Sequence, residues 1–278
     1  MYNFLFYFLL FIFGGAIGSF INVIVDRLYI KSFWGGRSVC QSCSKRLPWY
    51  EMIPIFSYLF LHGRCSKCKV KIGGKHFWME VFTGILAILT YSLLLKDYFS
   101  IFSSFNSILI GILLSLFYIF LFVILLVILR YDLKHKIVPV QFSLLLIITG
   151  LSFEVYRVVN YMSIYSGYTT LFWLDVFSGI LVALPFIIIF LFSGGKAVGF
   201  GDIMLLIGVG YLTGFIFGVS TFLLSIWIGA VVSLLMLYLF PKKYNRKSEI
   251  PFAPFIVIAT IAMIFLEIDV VGISMFLH

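Results

Sequence analysis

Charged side chains are what this sequence most conspicuously lacks. Only 11% of its 278 residues are Asp, Glu, Lys or Arg, whereas hydrophobic residues make up 63%. An average soluble domain has roughly 25% charged residues. Twenty basic and eleven acidic residues are too few to cover a soluble fold of this size. The composition therefore excludes a soluble globular protein, a disordered chain and a secreted disulfide scaffold, and it predicts a protein with several membrane spans.

Acidic residues are the scarcer charged class, which leaves a net charge of +9. A basic chain can bind nucleic acid, but the positions of the charges argue against it. Ten of the twenty basic residues fall between Arg27 and Lys75, and most others lie in short gaps between apolar runs. Such a distribution is typical of charges that set membrane topology. We therefore expect no nucleic-acid partner, and we expect the basic segment to meet membrane lipid.

Eight apolar runs are long enough for membrane-spanning helices, which need about 20 residues each. The sixth and seventh runs are nearly continuous and are interrupted only by Thr213, Gly214, Gly218 and Ser220. We predict an all-α polytopic membrane protein with about eight transmembrane helices. The runs are 4–25, 77–95, 106–130, 137–157, 171–193, 203–219, 220–240 and 252–275.

The basic residues also orient these spans. If the segment 26–76 is cytosolic, alternation of eight spans places 18 of the 20 basic residues inside and only Lys96 and Arg157 outside. This split predicts that both termini lie outside. The first run lacks a basic start and a small-residue cleavage site, so we expect it to be a retained span and not a signal peptide.

The predicted spans divide the chain into three parts. The first transmembrane helix occupies 1–25, a basic cytosolic insert occupies 26–76, and a transmembrane bundle occupies 77–278. The first span carries a face of small residues, which predicts close packing against another helix. That face consists of Gly14, Gly15, Gly18 and Ser19.

All four cysteines lie in the insert, as the pairs Cys40/Cys43 and Cys65/Cys68 with 21 residues between them. Two such knuckles can turn four thiolates toward one point, which is the ligand set of structural zinc. Zinc binding would also supply folding free energy to an insert with few apolar residues. Two disulfides and a redox-active dithiol are the alternatives, although structural disulfides are rare in a reducing cytosol.

Two acidic residues mark the predicted cytosolic ends of spans. Asp132 ends the third span and Asp202 begins the sixth. Carboxylates at one depth on neighbouring helices can converge on a water, share a proton and hydrolyse a peptide bond as a pair. Gly194, Gly195, Gly199 and Gly201 precede Asp202 and leave room for an extended peptide or for a positive φ. A flexible loop with Asp202 as a helix cap accounts for the same residues.

Other carboxylates suggest simpler roles. Glu154 and Asp175 fall near the predicted outer ends of spans, where placement at the membrane interface explains them. Glu80 lies one turn inside the second span and is harder to explain by solvation.

Several motifs, taken in order, resemble the type IV prepilin peptidase family. The stretch Gly18-Ser19-Phe20-Ile21-Asn22 resembles the family's opening motif. The segment between the cysteine pairs also matches, with Trp49, Glu51 and Ile53-Pro54 in order. Further along the chain, Asp132 followed by Ile137-Val138-Pro139 resembles the first catalytic motif, and Gly199-Phe200-Gly201-Asp202 resembles the G-x-G-D motif with the second catalytic aspartate.

This resemblance implies a bacterial inner-membrane aspartic endopeptidase with a core at about 106–278 and with Asp132 and Asp202 as catalytic residues. Its substrates would be type IV prepilins or pseudopilins, which lose a short basic leader at the cytosolic face. Many family members then methylate the new N-terminus with S-adenosylmethionine, and Glu51 would be a candidate residue for that step. A peptidase without methylation, a non-enzymatic zinc-ribbon scaffold and a small transporter remain the alternatives.

Overall fold

The computed structural model describes residues 2–28, 38–40, 42–99, 105–164, 170–241, 250–267 and 269–270. Within these ranges every regular element is a helix, and β contacts are limited to two isolated bridges in the insert. The predicted all-α fold is therefore confirmed. The basic residues at 242–247, which helped to orient the spans, lie outside the described ranges.

Within the described ranges, five helices are long and apolar enough to cross a membrane, and Ser178–Ser193 and Ala253–Leu266 are shorter apolar helices. A π-helical turn and a 3-10 turn continue the helix Lys75–Thr90 to Phe99. The helices are α1 (Tyr2–Arg27), α2 (Phe56–Phe60), α3 (Lys75–Thr90), α4 (Phe105–His135), α5 (Val140–Ile164), α6 (Thr170–Val176), α7 (Ser178–Ser193), α8 (Phe200–Leu239) and α9 (Ala253–Leu266).

The chain forms two compact units, Met1–Val123 and Ile124–His278. In the first unit, α1 packs closely along α3. A Cβ atom added at Gly14 would lie 2.5 Å from the carbonyl oxygen of Thr83 and 2.8 Å from the Cβ of Ala87. Two helices can approach to this distance only where side chains are absent. The close packing predicted for the small-residue face of α1 is thus confirmed.

In the second unit, α8 packs against α5, α6, α7 and α9. One side of its first half is fully buried, as the side chains of Leu205, Leu206 and Val209 show. A Cβ atom at Gly210 would lie 2.7 Å from the Cα of Gly179 on α7. This close contact fixes the first half of α8 against α7.

The predicted spans 203–219 and 220–240 belong to one helical element, α8, which is interrupted at Gly214. This residue has φ 79° and ψ 178°, a conformation open essentially only to glycine. A break inside an apolar helix frees backbone groups that need partners where water is absent. The break explains why the sequence shows two apolar runs with small residues between them.

Side chains from α5 and α6 satisfy the backbone groups freed at this break. The Arg157 guanidinium donates to the carbonyl oxygen of Tyr211 at 2.6 Å, and the N–H of Phe215 donates to the Asp175 carboxylate at 2.8 Å. Arg157 also donates to Glu154, which is only 4% exposed. Glu154 is therefore buried within the protein beside the break in α8, and its position at the membrane interface stays a prediction.

Candidate functional site

Each cysteine pair of the insert folds into a tight knuckle held by the same backbone pattern. In the first, the N–H of Cys40 donates to the carbonyl of Lys45 at 2.9 Å, and the N–H of Ser44 donates back to the carbonyl of Cys40 at 2.9 Å. The second knuckle repeats the first of these bonds between Cys65 and Val70 at 3.0 Å. Both loops thereby turn their sulfur atoms to one side.

The four sulfur atoms converge on one point. The Sγ atoms of Cys40 and Cys68 are 3.8 Å apart, those of Cys43 and Cys65 are 4.0 Å apart, and all four lie within 4.8 Å of one another. Tetrahedral zinc with Zn–S bonds of about 2.3 Å requires sulfur atoms about 3.8 Å apart. All four thiols are free of disulfides. The donor set and its spacing fit a structural zinc ion.

Backbone N–H groups, burial and the neighbouring thiols shift the pKa values of Cys40, Cys65 and Cys68. The N–H groups of Cys68 and Lys67 lower the pKa of Cys65 to about 6, and the backbone of the first knuckle lowers the pKa of Cys40 in the same way. At Cys68 the N–H of Val70 also acts to lower the pKa, but burial and the neighbouring thiols raise it to about 11. A divalent cation among the sulfurs relieves that crowding.

Glu51, which the family resemblance marked for methyl transfer, lies between the two knuckles. Its carboxylate accepts a hydrogen bond from the Lys45 ammonium at 2.7 Å and another from the Ser66 hydroxyl at 2.8 Å. Burial acts to raise the pKa of Glu51, but Lys45 and Ser66 outweigh it and hold the pKa below its usual value. The contact with Glu51 raises the pKa of Lys45. Ser66 was not singled out from the sequence, because a lone serine between two cysteines carries no signal.

Glu80 on α3 anchors the insert to the helices of the first unit. Its carboxylate accepts a hydrogen bond at 2.7 Å from the N–H of Ile55, which has φ 66° and ψ −55°. A β-branched residue in that region is strained, and such strain persists only where the surroundings impose it. A Cβ atom at Gly15 would lie 3.3 Å from Ile55 Cδ1, so α1 closes the other side.

In the second unit, the structure brings Asp132 and Asp202 together. Asp132 lies in the last turn of α4 and is 3% exposed, and Asp202 lies half-buried in the first turn of α8. The two carboxylates interact electrostatically. Because both lie at helix ends, the apolar lengths of α4 and α8 set them at a boundary of the helical bundle.

The glycines just before Asp202 allow neighbouring side chains to come close to the backbone. A Cβ atom at Gly201 would lie 2.6 Å from the Cβ of Val138, and one at Gly199 would lie 3.3 Å from Oδ2 of Asp202. Gly199 has φ −75°, whereas the positive φ considered for this loop occurs at Gly194, with φ 60°, and at Gly195, with φ 77°. The missing side chains let the Val138 segment and the Asp202 turn meet.

The first residue of α9 is a part of this site that the sequence did not reveal. The backbone N–H of Ala253 faces the Asp132 carboxylate. A helix N-terminus carries a partial positive charge that favours a carboxylate. Among the described residues, Oδ2 of Asp132 is buried without a hydrogen-bond partner. Pro251 and Pro254 were the available signal, since prolines often flank a helix start.

Comparisons with known proteins add a second line of support. The model of the bacterial peptidase A24 N-terminal domain matches residues 12–94, and that of the type IV leader peptidase family matches residues 119–234. A prepilin leader peptidase/N-methyltransferase of Aeromonas salmonicida strain A449 is 27% identical over 289 residues, covering 92% of this chain and 89% of that protein.

Two further relatives carry the same printed name. The protein from Vibrio cholerae serotype O1 is 27% identical over 258 residues, with 90% of this chain and 92% of that protein covered. The one from Myxococcus xanthus is 41% identical over 78 residues, covering 28% of this chain and 23% of that protein. No solved structure matches the chain.

The two family models include the cysteine insert and both aspartates, in the order that the motifs predicted. The long alignments extend over about nine-tenths of the chain. On these grounds the chain belongs to the type IV leader peptidase family.

Proposed function

We propose that this protein is a membrane aspartic endopeptidase of the bacterial inner membrane that removes the basic leader from type IV prepilins or pseudopilins. The observation that carries the proposal is the pairing of Asp132 with Asp202 at the ends of α4 and α8. The family membership and the printed names of the relatives support the peptidase role.

In the proposed mechanism the two carboxylates share one proton. The ionised carboxylate takes a proton from a water molecule, whose oxygen then bonds to the carbon of the scissile carbonyl. The protonated carboxyl donates to the carbonyl oxygen as negative charge develops there. Collapse of the tetrahedral intermediate breaks the C–N bond, and the departing amine receives a proton from the pair. Because the pair titrates as a unit, acid and base are not assigned to single residues.

The surroundings of the pair suit this chemistry. The N–H of Ala253 stabilises negative charge on Asp132, and Gly199, beside Asp202, carries no side chain where a peptide would approach. The basic-residue count favours a cytosolic position for this boundary and an outside position for both termini. A cytosolic leader followed by a hydrophobic helix would then present its junction at the level of the aspartates.

The insert is proposed to bind one structural zinc ion through Cys40, Cys43, Cys65 and Cys68. When bound, zinc would close the two knuckles into one small domain, and four thiolates leave no open position for substrate. A separate N-methylation of the new N-terminus with S-adenosylmethionine is supported by the printed names of the relatives. Among the described residues no βαβ unit of the nucleotide-binding kind occurs.

Purified full-length protein in detergent tests the peptidase. It would be incubated with a precursor that joins a basic leader to a hydrophobic helix, and the products would be resolved by mass. Wild-type protein should release the leader, and a further methyl mass on the mature product would support the second activity. Asp132→Asn and Asp202→Asn should leave the precursor intact, whereas the exposed Asp97→Asn should cleave it. Leader release by either active-site variant would refute the mechanism.

A further inference from the structure

Glu51 touches both cysteine knuckles at once. Its Oε1 atom accepts hydrogen bonds from Nζ of Lys45 at 2.7 Å and from Oγ of Ser66 at 2.8 Å, and Lys45 also donates to Oγ of Ser66 at 2.5 Å. Lys45 closes the first knuckle through its backbone carbonyl. Ser66 lies inside the second knuckle, directly after Cys65. The three side chains form a closed ring of hydrogen bonds that joins segments far apart in the sequence.

This ring is sheltered from solvent. The side chain of Glu51 is 5% exposed, and that of Lys45 is 27% exposed. Hydrogen bonds between ionised groups are roughly twice as strong as neutral ones, and a buried charge that loses its partner is strongly destabilising. Glu51 is therefore far better suited to hold Lys45 and Ser66 in place than to meet a substrate at the surface.

The sulfur geometry shows what this positioning achieves. The close sulfur contacts run between the knuckles, from Cys40 to Cys68 and from Cys43 to Cys65. A tetrahedral ion needs the knuckles to face each other at this separation, and 21 residues of chain separate Cys43 from Cys65. Side chains that orient metal ligands without touching the ion commonly change the affinity of the site for that ion.

We propose that Lys45, Glu51 and Ser66 form a clamp that holds the two knuckles at the separation that a zinc ion requires. Glu51 is then a positioning residue for the metal site and takes no part in methyl transfer. The inference rests on the zinc site of the proposed function and goes beyond it by assigning residues that do not bind the metal.

Zinc affinity of the full-length protein in detergent gives the first test. A chromogenic chelator would compete for the metal with wild-type protein and with variants. Glu51→Ala and Lys45→Met should each weaken binding by about 10-fold or more, within the range seen for residues that support metal ligands. Lys45→Arg, which keeps the charge and a donor, should retain most of the affinity. Lys71→Met removes an exposed lysine of the same insert and should change nothing.

The double variant sharpens this test. If Lys45 and Glu51 act as one unit, Lys45→Met combined with Glu51→Ala should bind zinc no more weakly than the worse single variant. Two independent, additive losses would contradict a shared clamp.

Metal-free protein gives a readout that does not depend on zinc. Diamide takes two electrons and two protons from a pair of thiols and leaves a disulfide, whose position is mapped by mass spectrometry. In wild-type protein the clamp should favour bonds between the knuckles, Cys40 to Cys68 and Cys43 to Cys65. In Glu51→Ala the products should shift toward bonds within each C-x-x-C pair.

Wild-type affinity and an unchanged disulfide pattern in Glu51→Ala would overturn the clamp. Loss of methyl transfer in Glu51→Gln with zinc binding intact would also overturn it and would return Glu51 to the methylation step. A wild-type protein that binds no zinc would refute the zinc site of the proposed function, and the disulfide map would still decide whether the clamp exists.

Discussion

The carboxylate of Asp202, in the first turn of α8, lies within electrostatic reach of the buried carboxylate of Asp132, in the last turn of α4. Two carboxyl groups that share a proton act as one catalytic unit, so removing either should disable both. We predict that the double variant Asp132→Asn/Asp202→Asn cleaves a precursor no more slowly than either single variant. Initial rates of leader release measure this. If the double variant is slowed by the product of the two single-variant factors, the two aspartates have independent roles.

The break in α8 depends on the absence of a side chain at Gly214. An L-residue with φ 79° and ψ 178° costs about 1–3 kcal/mol, and a Cβ atom there would also collide with Arg157. We predict that Gly214→Ala lowers the unfolding midpoint of the detergent-solubilised protein. Gly73→Ala is the matched control, because a Cβ at Gly73 meets nothing within 4 Å. Equal midpoints for the two variants would contradict this account.

Arg157 links the break to a buried carboxylate. Arg157→Met leaves both Glu154 and the carbonyl of Tyr211 without their cation, and breaking a buried ion pair costs about 3–5 kcal/mol. We predict a large loss of stability, partly restored by adding Glu154→Gln, which removes the stranded charge. Denaturant titration measures both variants, with exposed Lys96→Met as the control for lost positive charge. A double variant less stable than Arg157→Met would argue against the pair.

Metal content tests the cysteine site. Wild-type protein purified without added chelator should carry one zinc ion per chain, and Cys43→Ser should carry far less, because the tetrahedral ligand set loses a thiolate. Removing the metal should expose the insert to limited proteolysis, since metal binding is coupled to its folding. Ser42→Ala, next to the same cysteine, should behave as wild type. Two intact disulfides in fresh protein, with no metal, would support the oxidised alternative.

The sequence predicted the features that depend on local pattern. Apolar runs located the helices, and the charge and spacing of the motifs identified Asp132, Asp202 and the four cysteines as candidates. Gly214 was one of four residues seen to interrupt the long apolar stretch. That it alone breaks α8 could not be predicted, because the choice depends on Arg157 and Asp175 from other helices.

Contacts between distant segments account for what the sequence did not reveal. The approach of Ala253 to Asp132 depends on the packing of α9, and the position of Glu51 depends on Lys45 and Ser66 meeting across the insert. The family resemblance suggested a role in methyl transfer for Glu51, whereas its observed contacts are hydrogen bonds that join the two cysteine knuckles. No periodicity or spacing rule encodes such pairings, because each joins residues from separate elements.

The rate of leader removal by Asp132→Asn tests the central claim most directly. An asparagine at this position keeps a side-chain oxygen for the N–H of Ala253, so the fold should persist while the shared proton is lost. The account predicts a fall in rate of at least about 100-fold relative to wild type, as expected for the loss of a general acid–base group. An unfolding midpoint close to wild type should accompany it. Cleavage at the wild-type rate by this variant would contradict the assignment of the aspartate pair.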